Sequence, residues 1–191
     1  MLNDLIHRGP KYLRTTCLTK RARQAPRSAL VAVLLTGAIS GFFYAWVCST
    51  MWGLDATDPQ IAIRAMQAMN DSVRNAVFFP AFFLTPVAAA LAALLAWREG
   101  IRLAALLLGA AALVYLVGGI GVTGFANVPL NEALAVIETP LDPARAATVW
   151  SEYSEPWQAY NLARTLASFL SFGLAAVGLM YASSTARTSH R

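Results

Sequence analysis

The chain has 191 residues, of which 57% are hydrophobic and only 13% are charged, and its net charge is +5. This composition is too apolar for an ordinary soluble domain. The cations cluster outside the apolar stretches, so we expect no nucleic-acid partner. Four stretches contain no Asp, Glu, Lys or Arg: 28–54, 76–97, 103–126 and 165–186. Each exceeds the roughly 20 residues that cross a bilayer as a helix. The predicted fold is all-α, an integral membrane four-helix bundle whose first partner is the lipid bilayer.

The basic residues predict the orientation of this bundle. Seven Lys and Arg lie within residues 1–27, and four more flank the second connection or close the chain. The positive-inside rule assigns these eleven of the fifteen cations to the cytoplasm, so both termini are predicted to be cytoplasmic. The predicted segments are a basic cytoplasmic arm over 1–27, a membrane domain over 28–182 with spans at about 28–49, 76–97, 103–123 and 157–181, and a cytoplasmic tail over 183–191.

The first span and the loop after it carry interface and helix-start signals. Gly37 and Gly41 would let another helix approach closely, and a homo-oligomer is one alternative for this chain. In the first outer loop, Asp58 is a good N-cap and Pro59 fits the first helical turn. The helix that follows is amphipathic, and we predict that it covers the bundle or rests at the membrane interface.

Proline and glycine mark the next two spans. Pro80 and Pro86 predict a kink or loosened first turns in the second span. Four glycines crowd the outer end of the third span and predict close helix contact or local unwinding. Asn127 is predicted to cap a short helix after that span. Asp142 and Pro143 are predicted to start the helix that leads into the fourth span.

The last helix carries an aromatic and polar stripe. At 100° per residue, six side chains fall on one face about 100° wide: Trp150, Tyr153, Trp157, Tyr160, Asn161 and Arg164. Arg164 is predicted to lie about 12 Å into a span that starts near Pro156. A charge there is costly and usually has a partner. Glu132 is the first expected partner and Asp71 the second, unless Arg164 extends back to water.

Other residues allow two interpretations each. Asn127 and Asn131 would share a helix face, where their amides could orient a ligand or could simply cap and solvate the helix. Trp150 and Trp157 could stack on a ligand or anchor the interface. The two histidines, His7 and His190, lie in opposite tails. We therefore expect no histidine metal site and no Ser/His/Asp or Cys/His catalytic arrangement. A methionine copper site and a carboxylate cation site are less favoured alternatives.

These residues together resemble one family of small four-span membrane proteins, the anthrone oxygenase-like family. The resemblance covers about residues 37–171 and is closest to the family's bacterial branch. It rests on the following runs: Tyr44-Ala45-Trp46, Met51-Trp52-Gly53-Leu54, Ala65-Met66-Gln67-Ala68-Met69-Asn70, Phe78–Phe83, Asn127-Val128-Pro129-Leu130-Asn131, and the series Trp150, Trp157, Asn161 and Arg164.

The resemblance implies oxygenation of a lipophilic aromatic small molecule without a cofactor. Such chemistry needs a base that removes a proton from the substrate and donors that stabilise the resulting anion. The implied base is Glu132 or Asp71. The implied anion-stabilising residues are Arg164, Asn161 and Tyr160. The implied substrate-binding residues, which would stack on or orient a flat ring, are Asn127, Asn131, Trp150, Tyr153 and Trp157.

The sequence leaves the activity itself open. If the protein is an enzyme, it is expected to be an oxidoreductase, an anthrone oxygenase-like monooxygenase. The alternative is a non-catalytic membrane protein that binds a lipophilic ligand or acts as an assembly partner. The family branch and the short loops favour a bacterial inner membrane.

Overall fold

The structure, a computed structural model, describes residues 24–188, with side chains through residue 184. Nearly all of the predicted basic arm, both histidines and the end of the predicted tail lie outside this part of the chain. Within it every regular element is a helix, which confirms the all-α fold.

Within residues 24–188 seven α-helices follow one another, and three π-helical segments join some of them without a break. The α-helices are α1 Gln24–Ala45, α2 Met51–Asp55, α3 Pro59–Ser72, α4 Phe78–Arg98, α5 Arg102–Val114, α6 Val128–Ala135 and α7 Pro143–Thr188. The π-helical segments are Trp46–Thr50 between α1 and α2, and Tyr115–Gly121 and Thr123–Asn127 between α5 and α6.

In the described part of the chain, four helical stretches are long and apolar enough to cross a membrane: Gln24–Asp55, Phe78–Arg98, Arg102–Ala135 and Pro143–Ser184. They identify an integral membrane protein, as the sequence predicted. Helix α1 packs on α4 and α7, and α5 packs on the same two helices, so the four form a closed bundle. Which face of the membrane each end occupies stays a prediction from the charges.

The two ends of the bundle are packed differently. The end near residues 98–102 is filled largely by alanine, including Ala29, Ala92 and Ala104, which lets the helices approach closely. The opposite end, called here the loop end, carries α2, α3 and α6 and is filled by larger side chains such as Met66 and Trp157. The bundle is therefore wider at the loop end than at the alanine-rich end.

Helix α3 packs over the loop end. The Asp58 carboxylate accepts hydrogen bonds from the backbone N–H groups of Gln60 and Ile61, which confirms the predicted N-cap. The Gln67 side chain donates to the carbonyl oxygens of Leu134 and Ile137, both at 2.9 Å. Of the two predicted placements, the structure thus shows the helix packed on the bundle.

Helix α4 continues through Pro86, and a tyrosine compensates for the missing donor. Proline has no N–H, so the Phe82 carbonyl four residues earlier loses its helical partner. The hydroxyl of Tyr115, which is fully buried, donates to that carbonyl oxygen at 3.1 Å. The hydrogen bond from Tyr115 therefore connects the helix at Pro86 to the third span.

Replacing Tyr115 with phenylalanine is expected to lower the free energy of unfolding by about 1–3 kcal/mol, because the Phe82 carbonyl is then buried without a donor. Thermal unfolding in detergent measures the loss, with the exposed Tyr44→Phe as the matched control. In a Pro86→Ala background the helix supplies its own N–H, so the same substitution should cost much less. Equal cost in both backgrounds would contradict this account.

The glycines of the third span produce close contact with α7. A Cβ placed on Gly118 would collide with the Cβ of Ala167, so only glycine fits there. Of the two predicted effects, close helix contact occurs, and the turns also widen into π-helix, in which each bond spans five residues. This contact brings Thr123 against the part of α7 that carries Arg164.

Candidate functional site

A cavity of about 400 Å³ lies inside the loop end of the bundle. Its volume falls within the range of small-molecule sites. The aromatic lining consists of Phe42, Phe43, Trp46, Phe78, Phe79, Phe82, Phe83 and Trp157. The polar lining consists of Asn70, Arg74, Thr123, Asn131, Glu132 and Arg164. The cavity therefore combines flat apolar walls with a few polar groups.

Arg164 is buried in the wall of this cavity, with only 6% of its surface exposed. Its Nε donates to the Oδ1 of Asn161 at 3.0 Å, and its Nη1 donates to the Oγ1 of Thr123 at 3.3 Å. The guanidinium carbon lies 4.4 Å from the ring centre of Phe43 and 5.0 Å from that of Trp157. Arg164 thus stays inside the bundle rather than extending to water.

The charge of Arg164 is stabilised by neutral groups. Its hydrogen-bond acceptors in the described residues are an amide and a hydroxyl, and the faces of two aromatic rings attract the cation. A guanidinium has five N–H donors, and these two bonds use only two of them. The remaining donors are available to an acceptor that enters the cavity.

Both acceptors of Arg164 are held by backbone carbonyls. The Asn161 Nδ2 donates to the Phe43 carbonyl oxygen at 3.3 Å, just before the first π-helical segment. The Thr123 hydroxyl donates to the Gly119 carbonyl oxygen at 2.7 Å. Because these side chains are anchored on other elements, the guanidinium is oriented before any ligand arrives.

Asn131 organises the aromatic side of the cavity. Its Oδ1 accepts from the Trp157 indole N–H and from the Tyr153 hydroxyl, both at 2.9 Å. The Asn70 amide donates to the same Tyr153 hydroxyl at 3.3 Å. The ring of Trp157, held in this way, lies 5.1 Å from that of Trp46. Tyr153 supports the wall from behind without lining the cavity.

The predicted cap at Asn127 is wrong. No capping bond forms, because the chain is already π-helical up to Asn127 and continues into α6 without a break. The side chain is instead fully buried, and its Nδ2 donates to the Trp157 carbonyl oxygen at 3.2 Å. Asn127 does not line the cavity.

The remaining candidates are divided between the cavity and the surface. Glu132 is exposed and lines the cavity, with no hydrogen bond to Arg164 in the described structure. Asp71 and Tyr160 are exposed and lie outside the lining. Trp150 packs beneath α3, and its indole N–H donates to Asp55 at 2.9 Å. The structure therefore brings Asn131, Glu132, Trp157 and Arg164 together at one cavity.

Sequence reasoning missed several members of the site. Phe43 and Thr123 belong to apolar spans, where aromatic and hydroxyl side chains are too common to stand out. Asp55 accepts bonds from Trp150, Ser154 and Gln158, and so joins the end of α2 to α7. Its position at the edge of a charge-free stretch was the available signal. No group of three or more His, Cys, Asp or Glu side chains suited to a metal occurs in the part of the chain described.

The comparison with known families matches this same region. The family model described as anthrone oxygenase matches residues 69–174, more than half of the chain. That range includes Asn131, Glu132, Trp157 and Arg164. Neither the curated proteins nor the solved structures include a match. The match confirms the resemblance: the chain belongs to the anthrone oxygenase family.

Proposed function

We propose that this membrane protein oxidises a lipophilic aromatic substrate with molecular oxygen inside the loop-end cavity, without a bound cofactor. The observation that carries the proposal is the buried Arg164, whose spare donors adjoin a cavity with aromatic walls. A buried cation without a carboxylate partner favours a ligand that brings or develops negative charge. Membership of the anthrone oxygenase family supports the same reaction class.

The aromatic walls suit a flat substrate. Phe43 and Trp157 lie against the guanidinium, so a ring bound among the aromatic walls has its oxygen substituent close to Arg164. Asn131 and Asn161 act as positioning residues, because each holds one of these groups in place. Tyr153 acts through Asn131.

Glu132 is the proposed base, because it is the carboxylate in the described part of the chain that lines the cavity. It removes a proton from a CH₂ group activated by a neighbouring ring and carbonyl. The electron pair spreads onto the substrate oxygen, where Arg164 stabilises the anion. The anion then reduces O₂. One oxygen atom enters the new carbonyl, and the other leaves as water with the two hydrogens of the CH₂ group, so no further reductant is needed.

Incubation of the purified protein in nanodiscs with anthrone and oxygen tests the proposal directly. With a metal chelator present, the rate of anthraquinone formation, measured by absorbance, should be well above the rate in empty nanodiscs. A rate equal to the spontaneous one would contradict the enzyme. Saturable anthrone binding without turnover would instead support the alternative, a non-catalytic protein that binds a lipophilic ligand.

A further inference from the structure

A second hollow adjoins the cavity on the side of α1 and α4. This groove has a volume of about 480 Å³ and shares five lining residues with the cavity. The shared residues are Phe42, Trp46, Met69, Val73 and Phe78. The rings of Phe42 and Phe78 are 4.9 Å apart and line both spaces. The two spaces therefore meet along these five side chains.

The groove differs from the cavity in its chemistry and its exposure. Among the described residues, no charged side chain lines the groove. Ala38, Ile39 and Ala81, on two membrane-spanning helices, form part of its apolar lining. Val77 at its edge is 85% exposed, so the groove opens on the surface of the bundle. Ala38 lies about 10 Å along α1 from Ala45, at 1.5 Å per residue. The groove therefore runs from the cavity toward the bilayer interior.

We infer that the ligand carries a hydrocarbon chain, which lies in this groove while its oxygen-bearing ring occupies the cavity beside Arg164. The substrate class is then an aromatic ketone with an activated CH₂ group, or its enol, that carries an alkyl or prenyl chain. This inference rests on the proposed function. The shared lining of the two spaces supports it, because a chain attached to a ring in the cavity has to pass only these side chains to reach the groove and the lipid.

The groove selects its ligand by fit rather than by hydrophobic gain. A hydrocarbon chain that leaves the bilayer for the groove exchanges one apolar environment for another. Its burial there adds little binding energy, but blocking the groove forces the chain against the protein and displaces the ring. A steric substitution is therefore the informative test.

The test uses Ala38→Trp, an exposed position at the edge of the groove, and Ala110→Trp as the matched control on an exposed face of α5. Two tritiated probes, 2-methyl-1-naphthol and 2-decyl-1-naphthol, are bound to the full protein in nanodiscs. Ala38→Trp should weaken binding of the decyl probe about tenfold and leave the methyl probe unchanged, since only the chain meets the new ring. Ala110→Trp should change neither affinity.

The comparison of each variant with wild type cancels the partition of the probes into lipid. Equal effects of Ala38→Trp on both probes, or an effect on neither, would overturn the inference and leave the groove as a surface filled by membrane lipid. In that case oxidation of anthrone would still support the proposed function. Failure of both probes to bind wild-type protein would overturn the inference as well, whereas only absence of anthrone turnover contradicts the enzyme.

Discussion

Replacement of Arg164 by methionine is expected to lower the rate of quinone formation by about 100- to 1,000-fold, the usual cost of removing a donor that stabilises a developing oxyanion. The stability of the folded protein should change much less than the rate. Arg164 is a buried cation held by neutral partners, and an apolar side chain of similar length removes its desolvation cost. The substitution also leaves the buried Asn161 Oδ1 without its donor, at a cost of about 1–3 kcal/mol, so we expect the melting temperature to change little while activity falls.

Two further variants sharpen this prediction. Arg164→Lys keeps the charge but lacks the planar fork, so it should recover only part of the activity. Arg98→Met removes a cation from the last turn of α4, at the opposite end of the bundle, and should leave the rate unchanged. Loss of folding in Arg164→Met, or full activity in correctly inserted protein, would show that Arg164 has a structural role only.

Replacement of Glu132 by glutamine is expected to lower turnover by about 100- to 10,000-fold, since the amide cannot accept the substrate proton. Substrate affinity should change little, because the side chain keeps its size and its place in the cavity lining. Turnover and binding are measured separately in nanodiscs. The variant should recover activity as the pH is raised, because the substrate then ionises without a protein base.

The control for this variant is Glu155→Gln. Glu155 is an exposed carboxylate on α7 that lies outside the cavity lining. It should keep wild-type turnover at every pH. A Glu132→Gln protein with a normal rate would remove Glu132 as the base. A variant that fails to recover at high pH would indicate that Glu132 acts in some step other than proton removal.

Much of the fold could be predicted from one physical rule, that a helix must be apolar along its length to cross a bilayer. The four charge-free stretches predicted four helices, and Asp58 and Asp142 marked helix starts correctly. The cap at Asn127 failed for a different reason. Glycines let the third span continue as π-helix, which changes the bond pattern and rotates later residues away from a regular helical face.

The candidate site was only half visible in the periodicity of α7. The stripe from Trp150 to Arg164 is about 100° wide, and the cavity occupies only a part of that width. Trp157 and Arg164 face the cavity, whereas Tyr160 lies outside and Trp150 packs under α3. Spacing along one helix cannot show which residues of the stripe line the cavity, since that depends on where α1 and the π-helical segments pack.

The amino-acid sequence is sufficient to predict a four-span membrane protein with polar side chains at one end, because both follow from where charge is tolerated near lipid. The surroundings of Arg164 depend instead on how the helices pack. Phe43 and Thr123 come from other spans, far along the chain, and meet the guanidinium only once the helices pack. Packing between helices determines whether a buried cation has a carboxylate, a ring or a hydroxyl beside it. The residues on a single helical face are not enough to predict this.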